Sequence, residues 1–393
     1  MKVEIVGEGG GSIRDAEMTW VDKKLGELAK ICTGKLDANA SSENGKYPFF
    51  TCARQPLRIN SYSYDGECVL VAGNGDLNVK YYEGKFDAYQ RTYIIKVRPE
   101  LRDSLSLGYV YHFLETYLET LRKQSIGGII KYIKLGNLTK APIPLPPISE
   151  QKRIAKILNA ADALRAKRRE ALAQLDTLLQ STFLNMFGDP VANPMGWKMG
   201  RLADIVERLD GGKNVAQSET KTDYRVLKVS AVTYGVYRPE ESKYLPADFN
   251  VPESYIVKSG DLLISRANTT ELIGATAYVW ETPERIALPD KIWKFIWKND
   301  AQIEPLFIYH LSQHIEFRRI LASRASGTSG SMKNIAKSKL LSLPVPLPPL
   351  PLQHRFATIV KSVEQQKSRM KTHLTELDTL FAALQQRAFN GDL

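Results

Sequence analysis

The chain has 393 residues, 43% of them hydrophobic and 25% charged, with 54 Lys and Arg against 43 Asp and Glu for a formal net charge of +11. That length exceeds one ordinary core and suits two or three folded domains, and the composition excludes both a disordered chain and a membrane-embedded one. The basic surplus favours polyanionic partners through counterion release, although a merely solvated basic surface would carry the same charge.

Residues 1–19, acidic and Gly-rich around "GEGGGS", have no sustained apolar core, which predicts a loose leader and not a signal peptide. No stretch approaches the roughly 18 apolar residues of a spanning helix, so no membrane is expected. Cys32, Cys52 and Cys68 are odd in number and contain no CxxC pair, which argues against a disulfide framework or a zinc site and fits a reducing cytoplasm.

From Trp20 the reading alternates between short strands and helices. Residues 67–73 (ECVLVAG) and 91–97 (RTYIIKV) are β-branched or aromatic runs bounded by Gly or Asn, and predict strands; residues 107–123 (LGYVYHFLETYLETLRK) predict a helix. A proline phrase, PIPLPPISEQKRI, begins at Pro142 and leads into a long helical run in which Ile154, Ile157, Leu158, Ala161, Leu164, Leu172, Leu175, Leu179 and Met186 recur at threes and fours. After a short link at residues 188–196 the pattern returns, with strands at 260–267 (GDLLISRA) and 292–297 (IWKFIW) and a helical stretch at 305–323. A second phrase, PVPLPPLPLQHRF, begins at Pro344 and opens a second run with Phe356, Ile359, Val363, Met370, Leu374, Leu377, Phe381 and Leu384 on one stripe.

The two phrases stand 202 residues apart, and that offset also joins Gln151 to Gln353, Arg153 to Arg355, Ala155 to Ala357 and LDTL at 175–178 to LDTL at 377–380. Trp20, Leu25, Leu28 and Gly34 have the spacing of Trp197, Leu202, Ile205 and Gly211. The chain is a duplication. The expected organisation is a leader (1–19), a first domain (20–141), a proline joint with a central long helix (142–188), a second domain (189–343) and a joint with a C-terminal long helix (344–393). The fold class is α+β: two similar α+β domains separated by two long helices forming an antiparallel coiled coil, in a pseudo-two-fold internal repeat. At about 36 residues each the helices would be about 54 Å long. The short link favours antiparallel pairing over a parallel pair whose second domain must carry the chain back.

The prolines predict a stiff polyproline segment, outside any sheet ladder, that aims each domain at its helix; a ligand for an SH3-type module is the competing reading. Ser149 is placed to cap the first long helix, and the second copy has Pro351 there.

Catalytic chemistry is not visible. Neither TGK at 33–35 nor GGK at 211–213 completes a phosphate-binding GxxxxGK[ST] loop, the five histidines form no HExxH pair, and no nucleophile elbow is present. His112 and His310 match across the repeat inside helices, which suits packed structural residues. PDK at 289–291 lacks the partners of a metal nuclease, and no Asn-Pro-Pro-aromatic sequence of an amino-methyltransferase occurs.

Two variable α+β domains, each followed by a PxPLPP…Q…R(I/F)A joint and a long helix carrying LDTL, resemble the specificity (S) subunit of type I restriction-modification enzymes from about Trp20 to Leu393. The resemblance implies two target recognition domains, each reading half of a bipartite site in double-stranded DNA. It also implies paired helices that dock two methyltransferase (M) subunits and recruit restriction (R) subunits. S-adenosylmethionine, ATP and Mg are then expected only in those partners, with no cofactor and no catalytic residue in this chain.

Base-reading needs Arg or Lys for guanine and Asn or Gln for adenine, while phosphate contacts set position. The candidates in the first domain are Lys35, Asn74, Asn78, Lys80, Tyr81, Tyr82, Arg91, Lys131 and Lys134. Those in the second are Lys213, Arg266, Asn268, Thr269, Thr270, Lys291, Lys333 and Asn334. Asn74 and Asn268 would equally serve as turn formers that bond their own backbone. Half-sites about one helical turn or a little more apart are expected. The rival reading is a coiled-coil scaffold whose two domains bind proteins, the basic charge being incidental.

Overall fold

A computed structural model of the chain describes residues 20–327 and 333–393; the leader at 1–19 and residues 328–332 of the second Gly-rich loop lie outside the described residues. The chain folds as two compact units. One runs up to Arg169 and adds Thr372–Leu393; the other is Glu170–Lys371. Each unit therefore combines one α+β region with a segment of each long helix.

In the first unit an antiparallel sheet orders Ala29–Thr33, Thr92–Val97, Cys68–Ala72 and Val79–Tyr82. Cys68–Ala72 is buried along its whole length, as expected of an apolar central strand covered on both faces. A second sheet places Tyr47–Phe50 antiparallel to Leu57–Ile59 and parallel to Asp87–Ala88. Helix Leu107–Gln124, capped by Ser106, whose hydroxyl accepts from the Tyr109 amide, packs on the first sheet through Leu107, Val110, Phe113, Leu114 and Leu121.

The second unit repeats this order. Its four-stranded sheet runs Val206–Gly211, Ile292–Trp297, Leu262–Ser265, Thr276–Tyr278, and its three-stranded sheet sets Arg225–Leu227 between Ser242–Tyr244 and Ile286–Ala287, again with one antiparallel and one parallel neighbour. The sequence spacing at the two starts also returns as structure, because the helical turns Leu25–Leu28 and Leu202–Ile205 occupy the same place ahead of the first strand of each sheet.

Close backbone approach fixes a glycine in each copy. A Cβ at Gly34 would lie 2.1 Å from the Ala88 carbonyl oxygen, and one at Gly212 would lie 1.7 Å from that of Leu288. Gly211, matched to Gly34 by spacing, faces the Trp293 ring instead, so the role passes to the next residue.

The long helices are Ile148–Phe187 and Leu350–Asn390, 40 and 41 residues, about 60 Å each at 1.5 Å per residue and longer than the spacing predicts. Within each unit the two segments run antiparallel. In the first, Arg153 reaches Leu393 while Arg165 Nε meets Asp378 Oδ1 at 2.6 Å; in the second, Lys367 meets Asp176 at 2.7 Å while Phe183 and Phe187 pack on Phe356. The seam is apolar where it joins a domain: Ile154, Leu158 and Phe381 belong to the first unit's core, and Leu179, Phe183, Phe187, Phe356 and Val363 to the second's. Each unit adds an ion pair between its helix segments, Arg165 with Asp378 in the first and Lys367 with Asp176 in the second, and Leu164, placed on the stripe by its spacing, is 55% exposed.

Three local expectations are corrected. The proline phrases do enter ladders: Pro142–Leu145 pairs antiparallel with Val21–Lys24, and Pro344–Pro346 with Met199–Arg201. Prolines at every second position leave Ile143, Leu145 and Val345 with their N–H groups, and a two-stranded ladder needs donors only at that period. The stretch 305–323 is two helices, Pro305–Gln313 and Ile315–Ser323, broken at an extended His314. A continuous helix would turn Ile315 toward the core; the break leaves it 61% exposed and buries Phe317 and Leu321 instead.

Ser149 does not cap the central helix, which already begins at Ile148. The joint is tied by Gln151, fully buried, whose Oε1 accepts from the Ser106 amide at 2.9 Å and whose Nε2 donates to the Ser104 and Pro146 carbonyls at 3.0 and 2.8 Å. Gln353 repeats it with the Glu304 amide and the Gln302 and Pro348 carbonyls, at 2.9, 3.2 and 2.7 Å.

Candidate nucleic-acid interface

In the first unit the turn after Cys68–Ala72 and the loop after helix Leu107–Gln124 are stitched together. The Ile133 amide donates to Gly73 O at 2.9 Å, the Gly75 amide to Lys131 O at 3.0 Å, and Asn74 lies opposite Tyr132 in a β-bridge. The Gly73 amide donates to Arg91 O at 2.8 Å, and the Arg91 guanidinium lies 5.9 Å from the Tyr132 ring centroid. Asn74, Arg91 and Lys131 thus share one edge, with exposed Lys134 just beyond it. Lys35 follows Gly34 on a segment whose neighbour Leu36 accepts from the Gln90 amide at 2.9 Å, next to Arg91.

The other candidates of this unit are engaged elsewhere. The Asn78 amide donates to the Cys52 and Asp76 carbonyls at 2.9 and 2.8 Å, and its oxygen accepts from Lys80, whose ammonium burial holds below the usual lysine range. Tyr81 donates its hydroxyl to Glu67, and burial, reinforced by that carboxylate, pushes the phenol up. Tyr82 packs on Phe50 and Phe86.

The second unit builds the same kind of edge with different side chains. Ala267–Asn268 pairs with Lys333–Asn334, the Ile335 amide donates to Arg266 O at 2.9 Å, and the Arg266 amide to Lys291 O at 3.0 Å. Arg266 Nε donates to Asp290 O at 2.7 Å, and its guanidinium lies 5.5 Å from the Trp293 ring centroid. Asn268 donates to the Thr233 hydroxyl at 3.1 Å and accepts from the Thr269 amide at 2.9 Å, the turn-holding arrangement; Thr270 beside it is exposed. Lys333 Nζ donates to Gly327 O at 2.7 Å.

Lys213 and Lys291 line a cavity of about 280 Å³ with Lys228 and Lys243, two cations that sequence reasoning missed because each stands alone among neutral neighbours. Of the four lysines lining this hollow, Lys228 pairs with Glu241 at 3.9 Å and Lys243 donates to Val215 O at 3.1 Å, and Asp290 lines it as well; a basic lining of this kind suits phosphate. Tyr132 was missed as well; its signal is the aromatic between Lys131 and Lys134.

The sequence profile of the type I restriction modification DNA specificity domain matches residues 17–174 and again 194–378, most of the chain and once per repeat. The chain belongs to this family. Among curated relatives, the EcoDI specificity subunit of Escherichia coli is 42% identical over 161 residues, covering 41% of this chain and 34% of that protein, so the chain spans about a third of that relative's length. The MjaVIII specificity subunit of Methanocaldococcus jannaschii is 24% identical over 374 residues, covering 88% of this chain and 86% of that one. The crystal structure of a type I restriction-modification system S subunit from M. genitalium superposes with a TM-score of 0.60 at 17% identity, covering 96% and 98% of the two chains, and shares the fold.

For a member of this specificity family the two edges are where chemistry and duplication coincide. The strand end at Asn74 and the strand end at Ala267–Asn268 each meet the loop that leads to a proline joint. Among the described residues no helix is long and apolar enough to cross a membrane.

Proposed function

We propose that the chain is the sequence-reading subunit of a type I restriction-modification complex, each α+β domain reading one half of a bipartite site in double-stranded DNA. Methyl transfer, cleavage and their cofactors, S-adenosylmethionine, ATP and Mg, belong on this reading to M and R subunits, two M subunits among them, that assemble on this chain. The observation that carries it is the repeated edge: Asn74, Arg91 and Lys131 in one copy, and Arg266, Lys333 and Asn334 in the other around the turn that Asn268 holds, with corresponding strand-end-to-loop backbone bonds. Amide and guanidinium groups suit base edges, and the surrounding lysines suit phosphates.

The test is fluorescence anisotropy of the full chain on mixed-sequence duplex DNA, alone and with methyltransferase subunits. Between 50 and 200 mM salt, affinity should fall by roughly a thousandfold or more if six or more phosphates are neutralised. Binding indifferent to duplex at both salts would favour the protein scaffold.

A further inference from the structure

The loop between helix Leu107–Gln124 and the first proline joint presents bare hydrocarbon on the reading edge. It is closed by reciprocal backbone bonds, Ile126 N to Tyr132 O at 3.0 Å and Tyr132 N to Ile126 O at 2.8 Å, and pinned to the strand end through Gly75 and Gly73. Its turn needs glycine: Gly127 has φ +115°, and a Cβ there would stand 2.6 Å from the Ile130 carbonyl oxygen. At the tip Ile129 is 104% exposed and Ile130 62% exposed. β-Branched side chains are stiff at χ1, so an anchored loop holds them out as a blunt, ordered projection.

Two isoleucines in water at the end of a braced loop want a covering surface, and the neighbours state its charge. Residues 125–134, SIGGIIKYIK, contain Lys131 and Lys134 and no carboxylate, and Arg91 lies over Tyr132 beside them. Apolar groups flanked by cations fit a surface that is hydrophobic in narrow gaps and anionic around them. A base step between two phosphate strands has that character, and apolar side chains entering such steps unstack and kink the duplex. At the 202-residue offset the second copy has Ser331 and Met332 where the first has its isoleucine pair.

Resting on the DNA-reading function proposed above, we infer that Ile129 and Ile130 are an apolar wedge that enters a base step in the half-site read by the first domain. Recognition at that step then depends on how easily the step deforms, favouring flexible pyrimidine–purine steps, in addition to hydrogen bonds with base edges.

The target is first obtained by mapping methylated positions in DNA from cells expressing the complete system. The full chain is then bound to a 40-base-pair duplex carrying that site, with 2-aminopurine substituted at one position at a time through both half-sites. The wild-type chain should brighten the probe at one step in one half-site. The double variant I129A/I130A should abolish that brightening and weaken binding by about tenfold or more, with unchanged melting because both side chains are exposed, and I129L/I130L should restore both.

Wild-type preference for the mapped duplex over a scrambled one, with no brightening at any position, overturns the wedge and leaves DNA reading intact. Unchanged DNA responses in the double variant together with loss of methyltransferase co-purification overturn it in favour of a protein-docking tip. No preference for the mapped duplex overturns the wedge and the reading function together.

Discussion

The joint and the candidate edge of this protein compare differently between the two units. At the joint, Gln151 and Gln353 make the same three hydrogen bonds to the same kinds of backbone group, fully buried in both copies. At the edge the backbone bonds persist while Gly73, Asn74 and Arg91 stand in one copy and Arg266, Ala267 and Lys291 in the other. A buried carbonyl or amide has no partner but the protein, so the side chain that satisfies it cannot drift. A side chain at the solvent-facing edge is under no such constraint.

The largest effect expected from breaking this comparison is at the joint. Gln151→Leu and Gln353→Leu each strand a buried amide and two carbonyls, and each should cost about 3 kcal/mol or more, lowering the melting temperature of the affected unit by about 6–12 °C. Calorimetry on the two variants should show similar losses; a large loss in one copy and none in the other would mean that the joints are not equivalent.

Next in size is a difference between the matched histidines. Nε2 of His112 meets Asn159 Oδ1 at 2.8 Å, whereas Nε2 of His310 has no hydrogen-bond partner among the described residues. Burial first, then the nearby Lys367 ammonium, lowers the His310 imidazole from the ordinary 6.5 to about 4. The fold holds this ring neutral, so its contribution is complete above pH 6.5 and is lost as the pH falls toward 4. The loss reaches about 3 kcal/mol at the lower end. Denaturant melts of His310→Leu between those pH values should show a flatter profile than wild type; an identical profile would remove His310 as the source.

The smallest effect lies in the polar middle of the helix pair. Arg165→Ala removes the bridge to Asp378 and the guanidinium held 4.2 Å from the Phe381 ring centroid. With Asp378 42% exposed, the expected loss is about 1 kcal/mol, seen as a shift of a few degrees in melting that shrinks as salt is added. A loss as large as that of the glutamine variants would show that this stretch carries the joint.

Much of the architecture is legible because it is written in periods. The stripes from Ile154 to Met186 and from Phe356 to Leu384 announce the long helices, and the apolar runs at Cys68–Ala72 and Ile292–Trp297 announce central strands. The 202-residue offset makes the duplication plain.

What escapes depends on contacts far apart in sequence. Proline reads as a ladder breaker because the partner strands, Val21–Lys24 and Met199–Arg201, stand well over a hundred residues away. Gln151 and Gln353 are visible as matched letters, but three bonds converging on a buried amide require the fold. The candidate site is legible by residue type alone: Asn78 is the same residue type as Asn74 and Tyr82 carries a donor as Arg91 does, but their neighbours, Cys52 and Phe86, engage them within the domain.

The most direct test of two independent reading domains is to exchange residues 20–141 for the equivalent domain of another specificity subunit and map methylated positions in cells expressing the complete system. One half of the target should change while the half assigned to residues 189–343 stays as it was. A change in both halves, or in neither, would contradict the account.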